Sequence, residues 1–124
     1  MPDPNANTVA AAYQHGLALA RSGRFFEAHE AFETAWRSCP PEERDFFQGL
    51  VHVVVSAYQG GRGRRVAEER QRVKALARLA AYAPAHRGLD VELLLRKLDR
   101  AEADPREHLV ERHGEPPVAV EEEE

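Results

Sequence analysis

The chain holds one cysteine, one methionine and one tryptophan in 124 residues. With Cys39 as the single thiol, an intrachain disulfide and a thiolate zinc cluster are both excluded. No apolar run reaches 18 residues, so no segment reads as a membrane-spanning helix, and a membrane is not an expected partner. Residues 1–7 are polar, carry two prolines and lack a basic stretch, which does not fit a signal peptide. The expected location is the cytoplasm. Lysine is scarce too, 2 residues against 15 arginines. Apolar residues make up 43% of the chain, 20 of them alanine, enough for one modest core.

Charge is plentiful but uneven. The formal net charge is −4, yet residues 115–124 hold five acids and no base. The rest of the chain is near neutral. Residues 27–45 are acidic, and residues 62–78 are basic.

Helical periodicity dominates, and no segment alternates cleanly in period two. The spacing predicts five helices. The first runs from Thr8, a good N-cap, to Ser22, with Gly23 ending it. The second spans 24–39 and stops at Pro40–Pro41, its apolar stripe running from Phe25 through Phe32 and Trp36 to Cys39. The third, 42–59, is apolar on most sides and therefore central, with Gln48, His52, Ser56 and Gln59 as its narrow polar strip. The fourth, 64–82, is expected to turn Val66, Val73, Leu76, Ala77 and Ala80 inward. The fifth runs from an Asp90 cap to Ala103, anchored by Leu94, Leu95 and Leu98. The expectation is one all-α domain over residues 8–104, a bundle or array of about five helices. Residues 1–7 are expected to be disordered, and residues 105–124 frayed to disordered.

Gly16, Gly23, Phe25, Ala28, Phe32, Ala35 and Pro40 sit at spacings used by a tetratricopeptide helix pair. The pattern fails one 34-residue period later, where Gly16 meets Leu50 and Ala28 meets Arg62. A tight helical hairpin is the simpler reading.

The densest polar cluster is Glu27-Ala-His29-Glu30-Ala-Phe-Glu33-Thr-Ala-Trp36-Arg37. His29 and Glu33, at i and i+4, point to one side of a helix. Gln48 and His52 repeat that spacing on the third helix. In an antiparallel hairpin turning at Pro41, His29 is expected level with Val53, beside His52. Glu33 is then level with Gly49, beside Gln48. The favoured reading is a structural network in which a carboxylate satisfies a partly buried histidine. The alternative is a divalent metal held by His29, Glu33 (or Glu30) and His52, activating water for hydrolysis. A third reading is contact with a polar small molecule or peptide. Trp36 and Tyr58 read as core or interface anchors.

Arg62, Arg64, Arg65, Arg70, Arg72, Lys74 and Arg78 form a basic face. It reads first as solvated or paired with the acidic segment, and alternatively as a nucleic-acid or phosphate contact. Gly60–Gly63 lacks the Gly-Lys-Ser/Thr ending of a phosphate loop.

Phe25-Phe-Glu-Ala-His-Glu-Ala-Phe-Glu-Thr-Ala-Trp36, then Phe47-Gln-Gly-Leu-Val51, the glycine turn at 60–63, Pro84 and Gly88-Leu-Asp90 resemble a small prokaryotic family, domain of unknown function 309. The resemblance covers roughly residues 10–100. It implies a helical array, a cytoplasmic setting and the signature residues His29, Glu30, Glu33, Trp36, Gln48 and Gly49. His52 stands where that family usually has glutamine. The resemblance implies no activity. The sequence thus favours a non-enzymatic binding or assembly module without a cofactor. Its expected partner is a second copy or another protein. A metal-dependent hydrolase and a nucleic-acid binder are the alternatives.

Overall fold

The computed structural model describes residues 3–113. Its helices are α1 Ala6–Arg21, α2 Phe25–Ser38, α3 Arg44–Gly61, α4 Arg65–Leu79, α5 Val91–Asp99 and α6 Pro105–His108. Pro41–Glu43 forms a 3-10 turn before α3, and Ala80–Tyr82 another after α4. The all-α expectation holds, with one addition. A small antiparallel hairpin, β1 Ala85–His86 and β2 Leu89–Asp90, precedes α5. Its turn residues Arg87 and Gly88 both have positive φ, 48° and 80°, the signature of a type I′ turn. Strands of two residues are too short to show alternation.

The helix ends differ from expectation for local reasons. Thr8 lies inside α1 and caps nothing. Asp3 Oδ1 accepts the Asn5 N–H at 2.9 Å, so the first turn is already closed before Thr8. Gly60 and Gly61 continue α3, and the stop comes at Gly63. Helix α4 ends at Leu79, tightens to 3-10, and gives way to extended Ala83 before Pro84, as the proline requires.

Two helical hairpins, α1–α2 and α3–α4, are closed by one device. Gly23 N–H bonds Ala20 O at 3.0 Å and Arg24 N–H bonds Leu19 O at 2.9 Å. Gly63 N–H bonds Gly60 O and Arg64 N–H bonds Gln59 O, both at 3.0 Å. Each is a Schellman motif with a left-handed glycine. Each hairpin also seats a large side chain on a glycine. A Cβ on Gly16 would lie 2.5 Å from the Phe32 ring, and one on Gly49 2.5 Å from Leu79 Cγ. The counterpart of Gly16 is therefore Gly49, one residue short of the position a 34-residue period compares. The hairpins share a packing rule without sharing a strict sequence period.

Helix α3 is central as expected. Phe46, Phe47, Leu50, Val53 and Val54 are all buried, and the helix packs between α2 and α4. Tyr13 closes the core on the α1 side, its ring 5.8 Å from Phe46 and 5.9 Å from Phe47. Of the inward face expected for α4, only Leu76 packs against the core, half-buried. Val66 is 65% and Val73 53% exposed, and Ala77 and Ala80 are also exposed, whereas Ala75 and Leu79 are buried. The inner stripe is Glu68, Gln71, Ala75 and Leu79, because these residues meet Gly49, His52, Ser56 and Gly60 of α3. The polar strip read on α3 is in part this seam.

After Pro105 the chain makes one helical turn and docks. Leu109 is fully buried and its carbonyl accepts from Arg21 Nε at 2.6 Å. Val110 O accepts from Asp90 N, and Gly88 O from Arg112 N. Residues 6 and 7, expected to be disordered, belong to α1. The expectations for residues 1–2 and for the acidic tail, 114–124, lie outside the described residues.

Candidate functional site

The signature histidine sits on the α2 surface facing α3. His29 Nδ1 is 3.2 Å from Phe26 O, and Nε2 is 3.4 Å from Glu33 Oε2. Both ring nitrogens thus face acceptor oxygens. Glu33 is also 3.7 Å from Arg37. This is the expected i, i+4 ladder on a partly buried histidine: the His29 side chain is 24% exposed, Glu33 40% and Arg37 63%, so water screens the carboxylate end of the pairs. Glu30 is exposed beside it. Trp36 is half-buried, with the Arg44 guanidinium 4.1 Å from its ring centre, which fits an anchoring role.

The structure does not bring the four expected groups together. His52 turns to α4 and its Nδ1 is 2.7 Å from Gln71 Oε1. Burial pushes its pKa below the ordinary histidine value. Gly49 likewise faces α4, against Leu79. Gln48 is half-buried, one residue before it on α3. Among the described residues, no hydrogen bond joins Gln48 or His52 to His29 or Glu33. Nor do three His, Cys, Asp or Glu side chains gather closely enough there to hold a metal ion. The reason is rotational. On α3 the stripe 49, 52, 56 faces α4, and the stripe 55, 58, 59 faces α2.

That second stripe builds a groove of about 160 Å³, lined by Phe25, Phe26, His29, Val55, Tyr58 and Gln59. Phe26 is 53% exposed. Its ring centre lies 5.3 Å from that of His29 and 5.7 Å from that of Tyr58. Arg62 Nη1 donates to Tyr58 Oη at 3.1 Å. Gln59 Oε1 is buried without a hydrogen-bond partner among the described residues. A buried unmet acceptor costs about 1–3 kcal/mol. Sequence reading placed Gln59 only in the polar strip of the third helix and did not assign it to a groove.

A second polar centre was also missed. Glu43 is buried, 8% exposed, at the α2–α3 junction. Its two oxygens accept from Arg87 Nε at 2.6 Å and Nη2 at 2.7 Å, and Oε2 lies 2.7 Å from His86 Nε2. The Arg87 bonds hold the Glu43 carboxyl below the ordinary value, against the burial that raises it. Tyr82 and Phe46 flank the His86 ring, and Tyr13 Oη donates to Arg87 O at 3.3 Å. Burial pushes the Tyr13 phenol up to about 12. With both its oxygens occupied, Glu43 has little capacity left to act as a base. It ties the β1–β2 turn to the core. Cys39, half-buried nearby, lies 3.4 Å from Trp36 O, and burial raises its thiol pKa. The partners are more than 40 residues apart in sequence, so only the fold reveals the cluster.

The basic residues divide. Arg78 reaches Asp45 at 2.6 Å, the expected pairing with the acidic segment. Arg72 donates to Leu98 O at 2.9 Å and Arg62 to Tyr58. Arg64, Arg65, Arg70 and Lys74 are exposed and make no ion pair among the described residues.

No helix among the described residues is long and apolar enough to cross a membrane. No curated protein and no solved structure matches the chain. A family model does match, over residues 13–70, and that span includes the His29 ladder, the groove and the start of α4 but not His86 or Arg87. Over this stretch the chain resembles the family described as Domain of unknown function (DUF309).

Proposed function

We propose that the protein is a non-enzymatic binding module. Its contact site is the α2–α3 groove around Phe26, His29 and Tyr58. The ligand is a partner protein's apolar side chain carrying an N–H or O–H donor. The observation that carries this reading is a groove of aromatic and aliphatic surface lined at one point by Gln59, whose side-chain oxygen is buried without a hydrogen-bond partner among the described residues. Such a wall gains from an apolar ring, and a donor on that ring, reaching Gln59, would meet an acceptor that a purely aliphatic group leaves unpaired. The exposed Phe26 is a large apolar surface of the kind that anchors interfaces. The His29–Glu33–Arg37 ladder forms a polar rim on the same helix.

The test uses indole as the probe, titrated into isotope-labelled protein and followed by NMR. The expected result is a saturable shift of the Gln59 side-chain amide and of Phe26 and Tyr58. Phe26→Asp, at an exposed position, is expected to abolish it while leaving the core signals in place. Indole shifts that are absent, or that survive Phe26→Asp unchanged, would contradict the proposal.

A further inference from the structure

We propose that the exposed face of α4 is the docking site for this chain's own residues 118–124, Val-Ala-Val-Glu-Glu-Glu-Glu. Val66, Arg70, Val73, Lys74 and Ala77 recur at i, i+4, i+7, i+8 and i+11, so they share one helix face. All five are exposed, and the valines are the aliphatic side chains that stand out most from the surface, at 65% and 53%. Val66, Glu69, Arg70, Val73 and Lys74 line a shallow cleft of about 440 Å³.

The charge around this cleft selects its occupant. Arg64, Arg65, Arg70 and Lys74 are cations without an ion-pair partner among the described residues, while Arg72 is engaged by Glu69 and Leu98 O and Arg78 by Asp45. Glu69 is the single acid in the cleft lining. A second copy of the same face would set cations against cations and leave them unpaired. The fitting partner is therefore short, aliphatic at one end and acidic at the other. Residues 118–124 have that composition: two valines, then four glutamates.

Their starting point also fits. Arg112 Nη1 is 2.9 Å from Glu92 Oε1 at the start of α5, which places the last described residues there. Helix α5 runs back along α4, because Glu92 N bonds Pro84 O just beyond α4 and Leu98 O accepts from Arg72. The chain thus leaves from the C-terminal end of α4. Residues 114–124 can span about 36 Å, against about 22 Å for the length of α4. The valines then cover Val73 and Val66, and the glutamates reach Arg70, Arg65 and Arg64. The helix N-terminus favours negative charge there as well.

The experiment uses the full chain carrying Cys39→Ser and Ala119→Cys, with a nitroxide on the introduced thiol. Serine can keep the bond to Trp36 O. At low salt, amides from Val66 to Lys74 are expected to broaden. High salt, and Gln in place of all four residues Glu121, Glu122, Glu123 and Glu124, are each expected to remove the broadening. Unbroadened α4 amides at low salt overturn the proposal, as does broadening that survives the four neutralising changes. Mixing spin-labelled chain with isotope-labelled, spin-free chain separates the sources. Broadening of α4 in that mixture means a second copy supplies the segment, and the intramolecular assignment fails.

Discussion

Glu43 binds Arg87 through both oxygens and His86 through one, and it is the residue on which the hairpin most depends. Glu43→Gln keeps the shape but leaves a partly buried guanidinium without its counter-charge. The expected loss is about 2–3 kcal/mol, below the range for fully buried pairs because Arg87 retains some solvent. The sign of the pH effect follows from the depressed carboxyl. The folded protein holds Glu43 ionised below the pH at which the unfolded chain protonates it. Its stabilisation is therefore present above the ordinary value of 4.5 and is lost as pH falls below it. Urea unfolding across acidic pH is expected to show that loss in the native chain and a shallower one in Glu43→Gln. Ala101 offers the opposite case. Its φ is +57°, at the left-handed position that ends α5. Ala101→Gly removes a left-handed alanine, worth about 1–2 kcal/mol, and returns part of that as chain entropy. A gain of about 0.5–1 kcal/mol is expected in the same assay.

Between elements, glycine sets how closely the helices approach. Gly16→Ala and Gly49→Ala would each drive a methyl into a buried neighbour, the Phe32 ring or Leu79. Overpacking of about 1–3 kcal/mol exceeds the helix-propensity gain of about 0.5–1 kcal/mol, so both variants are expected to lose stability. Gly16→Ala is expected to lose more, since both neighbours are fully buried and a rigid planar ring has fewer ways to yield than a branched leucine side chain. Gly61→Ala is the control. Nothing lies within 4 Å of its added methyl, and a gain of about 0.5 kcal/mol is expected in thermal unfolding. Much at this scale was legible in the sequence. The Gly23 stop, the Pro40–Pro41 break and the apolar surround of α3 each follow from local chemistry, and each stands. The rotation of α4 was not legible. Its two valines looked like core residues, yet the inner stripe is decided by what α3 presents to it, two glycines, a histidine and a serine.

For the molecule as a whole, the acid-rich and arginine-rich segments are joined by the Arg78–Asp45 ion pair, the one such pair between them among the described residues. The polar signature of α2 was visible from spacing alone, and so was its His29–Glu33 pairing. Its expected convergence with His52 was not realised, because the reflection that matches heights across a hairpin says nothing of how each helix is turned about its axis. The Glu43 cluster was invisible for a different reason, since it joins segments that only the closed fold brings together. The polar residues thus divide in two: Glu43, His86 and Arg87 tie the hairpin to the core, and the His29 ladder with its groove is proposed to meet a partner. Urea unfolding of His29→Ala tests that division most directly. The account predicts a loss of no more than about 1 kcal/mol, because Glu33 is 40% exposed and water screens its pairing with His29. A loss of about 3 kcal/mol or more, the scale of a broken buried pair, would make His29 part of the framework and contradict it.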